Sequence, residues 1–297
     1  MSQSRLLDPR ALARLKGLSL RCQRVVDGLV QGLHRSPHHG SSIEFSDHKE
    51  YSPGDDVRTL DWKAYARFDK YYVKRYEHES NLSAWSILDT SGSMGYGSER
   101  VGLTKFEYAS ILAISLAYVL LKQQDATGLV TYSDQTGETL LPAARLSHVH
   151  HLCAMLEGIE PSGGTHLEST LRVVGEQARK RGLVFVFSDF LSDPEADFAS
   201  LRRLAGRGHQ MAVFHILDPD ELDFPFTEMA LFEGMESKNR LLAEPRLIRN
   251  AYLKRFRAHL AEVKRQCLLG HMHYVRVDTR VPPQELLIAF LSRWNRG

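Results

Sequence analysis

Two aspartates, two serines and a threonine have the types and spacing to serve one metal ion. Asp89, Ser91 and Ser93 fall in the run Asp89-Thr90-Ser91-Gly92-Ser93, Thr165 follows Gly163-Gly164, and Asp189 follows Ser188. All of these side chains offer oxygen. Hard cations prefer oxygen ligands, and magnesium keeps several waters in a near-octahedral shell; manganese and calcium are its nearest substitutes. The hydroxyls of Ser91, Ser93 and Thr165 can contact a cation without cancelling its charge. Asp89 and Asp189 supply negative charge, directly or through water. Two carboxylates and three neutral hydroxyls cannot saturate such an ion. One position is left to water, or to an acidic side chain from another molecule.

These residues are far apart in the chain, so strands and helices must gather them. Residues 84–88 and 183–187 are apolar runs, the second being Leu183-Val184-Phe185-Val186-Phe187. Strands that are apolar at every position are buried on both faces, and their alternation with helices means a parallel sheet covered on both sides. The patterning predicts further strands at 128–132, 138–142, 211–217 and 274–277. It predicts helices at 105–122, 148–156, 167–181, 195–205, 246–266 and 283–294. The expected fold is α/β, a doubly wound, mostly parallel sheet, in which ligands sit beyond the carboxyl ends of strands. Asp89 and Asp189 close apolar runs at that edge, and the Gly-Gly-Thr segment precedes a helix there.

Residues 1–80 read as a small strand-rich N-terminal module, with a helix at 8–18 and strands at 43–50 and 71–78. Residues 81–297 read as the main domain, interrupted at about 218–245 by a β-hairpin insertion whose turn lies at 236–239. Beyond it, Tyr252, Phe256, Leu260 and Val263 recur at helical spacing and form a core-facing stripe. The charges between them, such as Arg249, Lys254 and Arg257, read as a solvated face.

Asp89-x-Ser91-x-Ser93, followed in order by Thr165 and Asp189, resembles the metal-ion-dependent adhesion site (MIDAS) of von Willebrand factor A domains. The run Tyr51-Ser52-Pro53-Gly54-Asp55-Asp56-Val57-Arg58-Thr59-Leu60-Asp61-Trp62 is similar to the signature of a bacterial family catalogued as domain of unknown function fifty-eight. So is the stretch from Phe224-Pro225-Phe226 to Glu244-Pro245, with the Tyr252 helix after it, so the resemblance covers nearly the whole chain. It implies a von Willebrand factor A-like domain that binds a protein partner through magnesium. Genes of that family often neighbour those of MoxR-type AAA+ ATPases, which implies such an ATPase as a partner. Many members carry membrane segments near their N-terminus, and this sequence departs from them there. Within the signature, Pro53-Gly54 suits a type II turn. Arg58 and Asp61 could pair and Trp62 could bury, making the segment a structural clamp.

Other readings compete. Asp89 and Asp189 could merely cap helices while the hydroxyls satisfy backbone groups, or the site could be a vestige in a structural subunit. There is no Gly-x-Ser-x-Gly elbow and no Walker A loop, so the chain reads as a binding protein and not an enzyme. The enzymatic alternative is a magnesium-dependent phosphohydrolase with Asp89 as nucleophile. Such enzymes resemble Asp-x-Asp at this point, where this chain has Ser91. Fourteen histidines include His148, His150 and His151, but none has zinc-site spacing. A formal net charge of +2 gives no reason to expect nucleic acid as a partner. Three scattered cysteines fit a reducing, cytoplasmic setting. The longest apolar run, 108–121, contains two serines and reads as a buried helix, not a membrane span.

Trp62, Tyr65, Tyr71 and Tyr72 give the N-terminal module too much aromatic surface for a solvated tail. Limited proteolysis is expected to leave it associated with the main domain. Rapid release as a separate stable fragment would contradict this.

Overall fold

A computed structural model describes residues 21, 22, 25, 26, 44–50, 72–77, 82–192, 194–236 and 239–294. The helix expected at 8–18 and the 51–62 signature lie outside these residues. The chain divides into two compact units, one of residues 36–81 and one of residues 1–35 together with 82–297. In the smaller unit, β1 (Glu44–Glu50) and β2 (Tyr72–Glu77) pair antiparallel, with an irregularity between Phe45 and Asp47.

The larger unit begins with helical residues 21, 22, 25 and 26, from which Cys22 and Val25 enter its core. Then come β3 (Ser83–Asp89), α1 (Lys105–Lys122), β4 (Ala126–Tyr132) and β5 (Thr136–Ala143). Helices α2 (His148–Glu157) and α3 (Leu167–Gln177) lead to β6 (Leu183–Ser188). After α4 (Pro194–Ala205) and β7 (Gln210–Leu217), a short α5 (Pro219–Asp223) opens the hairpin region. The hairpin itself is β8 (Ala230–Glu233) with β9 (Arg240–Ala243). The chain ends with α6 (Pro245–Leu269), β10 (His273–Asp278) and α7 (Pro283–Trp294).

The main sheet runs β10-β7-β6-β3-β4-β5, parallel throughout except for β5, which is antiparallel to β4. It is doubly wound and mostly parallel. Alternation in β6 explains its two cores. Leu183, Phe185 and Phe187 join a core with Leu112 of α1, Leu152 of α2 and Phe290 of α7. Val184 and Val186 join the opposite core with Leu171 of α3, Phe198 of α4 and Val263 of α6. An unbroken apolar run is what burial on both faces demands.

Helix α1 is set by a capping box: the Thr104 hydroxyl accepts from the Glu107 N–H, and the Glu107 carboxylate accepts from the Thr104 N–H. Its middle is buried almost all round, as the apolar run implied. No described helix is long and apolar enough to cross a membrane. Helix α3 stops at Gln177, short of the expected 181, because Arg179 N–H donates to the Gln177 carbonyl in a tight turn that leads the chain into β6.

The β3–β6 pair, whose ends carry the candidate ligands, is held from one side by Phe214. This ring has no exposure, stacks on Phe187 at 4.7 Å and meets Phe290 at 4.9 Å. Phe214→Ala is expected to cost about 3–5 kcal/mol in urea denaturation, from lost transfer energy and the cavity left behind. A loss below about 1 kcal/mol would mean that this core repacks freely.

Candidate metal centre

From β3 the chain passes to β4 on one side, and it later returns to lay β6 on the other side of β3. The carboxyl ends of β3 and β6 therefore flank a switch point, where a doubly wound sheet leaves a crevice. Asp89 is the last residue of β3, and Asp189 follows the last residue of β6. Ser91 has no exposure and Ser93 is buried at the start of a 3-10 turn, Gly92–Gly95.

Hydrogen bonds join these groups. Asp89 Oδ1 accepts from the Ser91 N–H at 2.9 Å. Its Oδ2 accepts from the Ser188 hydroxyl at 2.5 Å and the Tyr132 hydroxyl at 3.3 Å. The Ser91 and Ser93 hydroxyl oxygens lie 3.2 Å apart, and Ser93 hydrogen-bonds Asp189. Thr165 stands nearer the surface, on a loop stitched to the Asp89 loop. Gly92 N–H donates to the Gly163 carbonyl at 2.9 Å, and Ser162 N–H to the Thr90 carbonyl at 2.9 Å. Gly163 has φ +80°, and a Cβ there would lie 2.4 Å from the Asp134 carboxylate, so only glycine makes this turn. The Asp134 carboxylate also accepts from the Gly164 N–H at 2.8 Å. Thr165 itself donates its hydroxyl hydrogen to Glu236 at 3.4 Å.

The sequence reading missed the charge at the heart of the site. Lys105, the first residue of α1, is fully buried, and its ammonium donates to Asp189 Oδ2 at 2.6 Å and Glu221 Oε1 at 2.5 Å. The only signal was a lysine directly after the Thr104 cap of an apolar helix. Glu221 is held by the capping box of α5, in which Asp218 N–H donates to its Oε2 at 2.8 Å. Ser188, Tyr132 and Glu236 were also missed, because a contact to a carboxylate formed elsewhere in the chain leaves no local pattern. His215, fully buried, approaches the Asp189 carbonyl at 2.9 Å through Nε2 and the Tyr274 hydroxyl at 3.2 Å through Nδ1. Burial, then the neighbouring His259, push its pKa down to about 3. It is a neutral imidazole that donates to that carbonyl and fixes the backbone at Asp189.

The electrostatics fit a cation. Burial, and next the charge of Asp189, push the Asp89 carboxyl above the ordinary carboxylate range. Burial works the same way on Asp189, but the charge and hydrogen bond of Lys105 outweigh it and hold Asp189 below that range. Lys105 pairs with Asp189 and Glu221 but not with Asp89, so its one ammonium cannot balance the carboxyl groups gathered here. A divalent ion would balance them, with Asp89, Ser91, Ser93, Thr165 and Asp189 as its oxygen donors. Among the described residues no group of three or more His, Cys, Asp or Glu side chains is placed to hold a metal ion, so this centre would depend on the hydroxyls of Ser91, Ser93 and Thr165. The three cysteines are buried free thiols.

The family described as protein of unknown function DUF58 matches residues 47–262. The uncharacterized protein Rv1480 of Mycobacterium tuberculosis is 26% identical over 264 residues, covering 87% of this chain and 81% of that one. The uncharacterized protein Mb1516 of Mycobacterium bovis has the same identity and coverage. Among solved structures, an aerotolerance-related membrane protein from Bacteroides fragilis is 18% identical, covering 69% of this chain and 98% of its own, with a TM-score of 0.45. BatB from Bacteroides thetaiotaomicron is 16% identical, covering 73% and 100%, with a TM-score of 0.45. The SpRpn10 VWA domain is 13% identical, covering 69% and 93%, with a TM-score of 0.42.

Because Lys105 offsets two buried carboxylates, Lys105→Met is expected to cost about 3–5 kcal/mol of stability, as removal of one partner from a buried pair does. Urea denaturation in chelator measures this. A change below about 1 kcal/mol would mean that the carboxylates simply take up protons instead.

Proposed function

The chain belongs to the DUF58 family, and we propose that it works as a metal-dependent protein-binding adaptor. The observation that carries this reading is the gathering of Asp89, Ser91, Ser93 and Asp189, all buried, at the carboxyl edge of the sheet. A magnesium ion held by Asp89, Ser91, Ser93, Thr165 and Asp189 would balance the two aspartates. It would also present Lewis acidity to an incoming carboxylate. The protein's part is to hold the donors rigid: backbone bonds lock the Gly92 and Gly163 loops together, and His215 fixes Asp189.

Two features favour a protein as the visitor. Met229, Leu231, Leu241 and Leu242 of the hairpin region are each more than half exposed, and such apolar side chains suit a protein interface. Ser91 stands where a phosphohydrolase with Asp89 as nucleophile would resemble Asp-x-Asp, so the second aspartate of that alternative is missing. The partner that the family resemblance favours is a MoxR-type AAA+ ATPase, with this chain linking ATP-driven remodelling to a client that offers an acidic side chain.

The experiment is a pull-down of the MoxR-type ATPase by the full chain, in magnesium and in chelator. Recovery is expected in magnesium only. It should fall about tenfold or more with Thr165→Ala, which removes a coordinating oxygen near the surface and leaves the sheet core intact. Equal recovery in chelator and magnesium, by wild type and Thr165→Ala alike, would make the metal irrelevant to binding.

A further inference from the structure

The hairpin brings a carboxylate of this same chain to the candidate centre. Gly92, between Ser91 and Ser93, is approached so closely by Met235 that a Cβ at Gly92 would lie 2.3 Å from the Met235 carbonyl oxygen. One residue further, Glu236 accepts the Thr165 hydroxyl at 3.4 Å. These two contacts come from different atoms and reach two different segments of the site. The stem that carries the tip is fixed independently. Arg249 of α6 donates to the carbonyls of Asp223 at 2.8 Å and Phe224 at 3.1 Å. The Phe224 ring stacks on Phe232 of β8 at 5.9 Å and packs on Tyr252 of α6 at 4.5 Å. Between stem and site lies a cavity of about 370 Å³, bordered by Ser93, Lys105, Glu221, Phe226, Met235 and Glu236.

We propose that Glu236 is an internal ligand of the metal centre, occupying in the free protein the position that a partner's acidic side chain takes in the complex. This rests on the metal-binding reading above. The five other donors leave one position open, and Glu236 already touches one of those donors. A carboxylate on a fixed stem competes at high effective concentration, so a small free carboxylate cannot displace it. A partner can, when its additional contacts with the exposed hairpin side chains compensate for the lost bond. The hairpin thereby makes the centre selective for proteins over stray acids.

The test is calorimetric titration of the full chain with manganese, for wild type, Glu236→Gln and Thr165→Ala. Hydrogen exchange of the amides of residues 230–243 is measured in parallel. Glu236→Gln is expected to weaken manganese binding roughly tenfold, the scale of losing a supporting group at a metal site. Manganese should slow exchange in the wild-type hairpin but not in Glu236→Gln. Acetate should bind the manganese-loaded variant more tightly than the loaded wild type. If Glu236→Gln binds manganese as wild type does and its hairpin is protected equally, Glu236 is not a ligand, while the metal centre stands. If wild type binds no manganese, or Thr165→Ala binds it unchanged, the metal reading itself fails and the internal ligand fails with it.

Discussion

A single ammonium group ties together the parts of this molecule that matter for chemistry. Lys105 begins α1, Asp189 follows β6, and Glu221 lies in α5, so the buried contacts of one lysine join three elements distant in sequence. Taking an ammonium out of water is costly, and only close, well-oriented carboxylates compensate. That requirement fixes the carboxyl edge of the sheet to better than side-chain packing alone would. The bond to Asp189 uses Oδ2 and leaves Oδ1 to accept from the Leu191 N–H at 3.4 Å. The lysine and a metal ion would share Asp189 without excluding one another.

Around this fastening the site is layered. Asp89 is buried and fully hydrogen-bonded, Ser91 and Ser93 sit on a short turn above it, and Thr165 lies toward the surface. Buried donors cannot move without breaking several bonds, whereas Thr165 depends on a loop held by backbone contacts and by Asp134. The resulting gradient runs from rigid charge at the bottom to adjustable oxygen at the top. A site meant to meet a macromolecule benefits from that order, because the visitor encounters the adjustable part first.

The sheet and its helices were readable in the amino-acid sequence because their signals are periodic and local. Leu183-Val184-Phe185-Val186-Phe187 can only be a doubly buried strand in this setting, and α1 and α7 begin and end where their patterns do. The Asp-Ser-Ser run and Asp189 stand out in the sequence because each follows an apolar strand, and Thr165 because it precedes a helix. What could not be read was every group that acts through a distant partner. Lys105 looks like a helix-start lysine, and Glu221 like an ordinary capping residue. The five-residue α5 is too short for a periodic signal, although Asp218-Pro219 with Glu221 spells its cap. Arg249 lies among charges that read as a solvated face, yet it grips the carbonyls at the hairpin's base. Side chains of this kind are chosen by the three-dimensional neighbourhood, which local patterning does not encode.

Cys22 and Val25 belong to the core that also contains Leu112 and Phe290, while residues 36–81 form a unit of their own between them and β3. In chain order the smaller unit lies between two parts of the larger one. A domain spliced into a host in this way leaves by two cuts, never by one. The host in turn has no single point at which it begins: a chain started at residue 82 would lack part of its own interior.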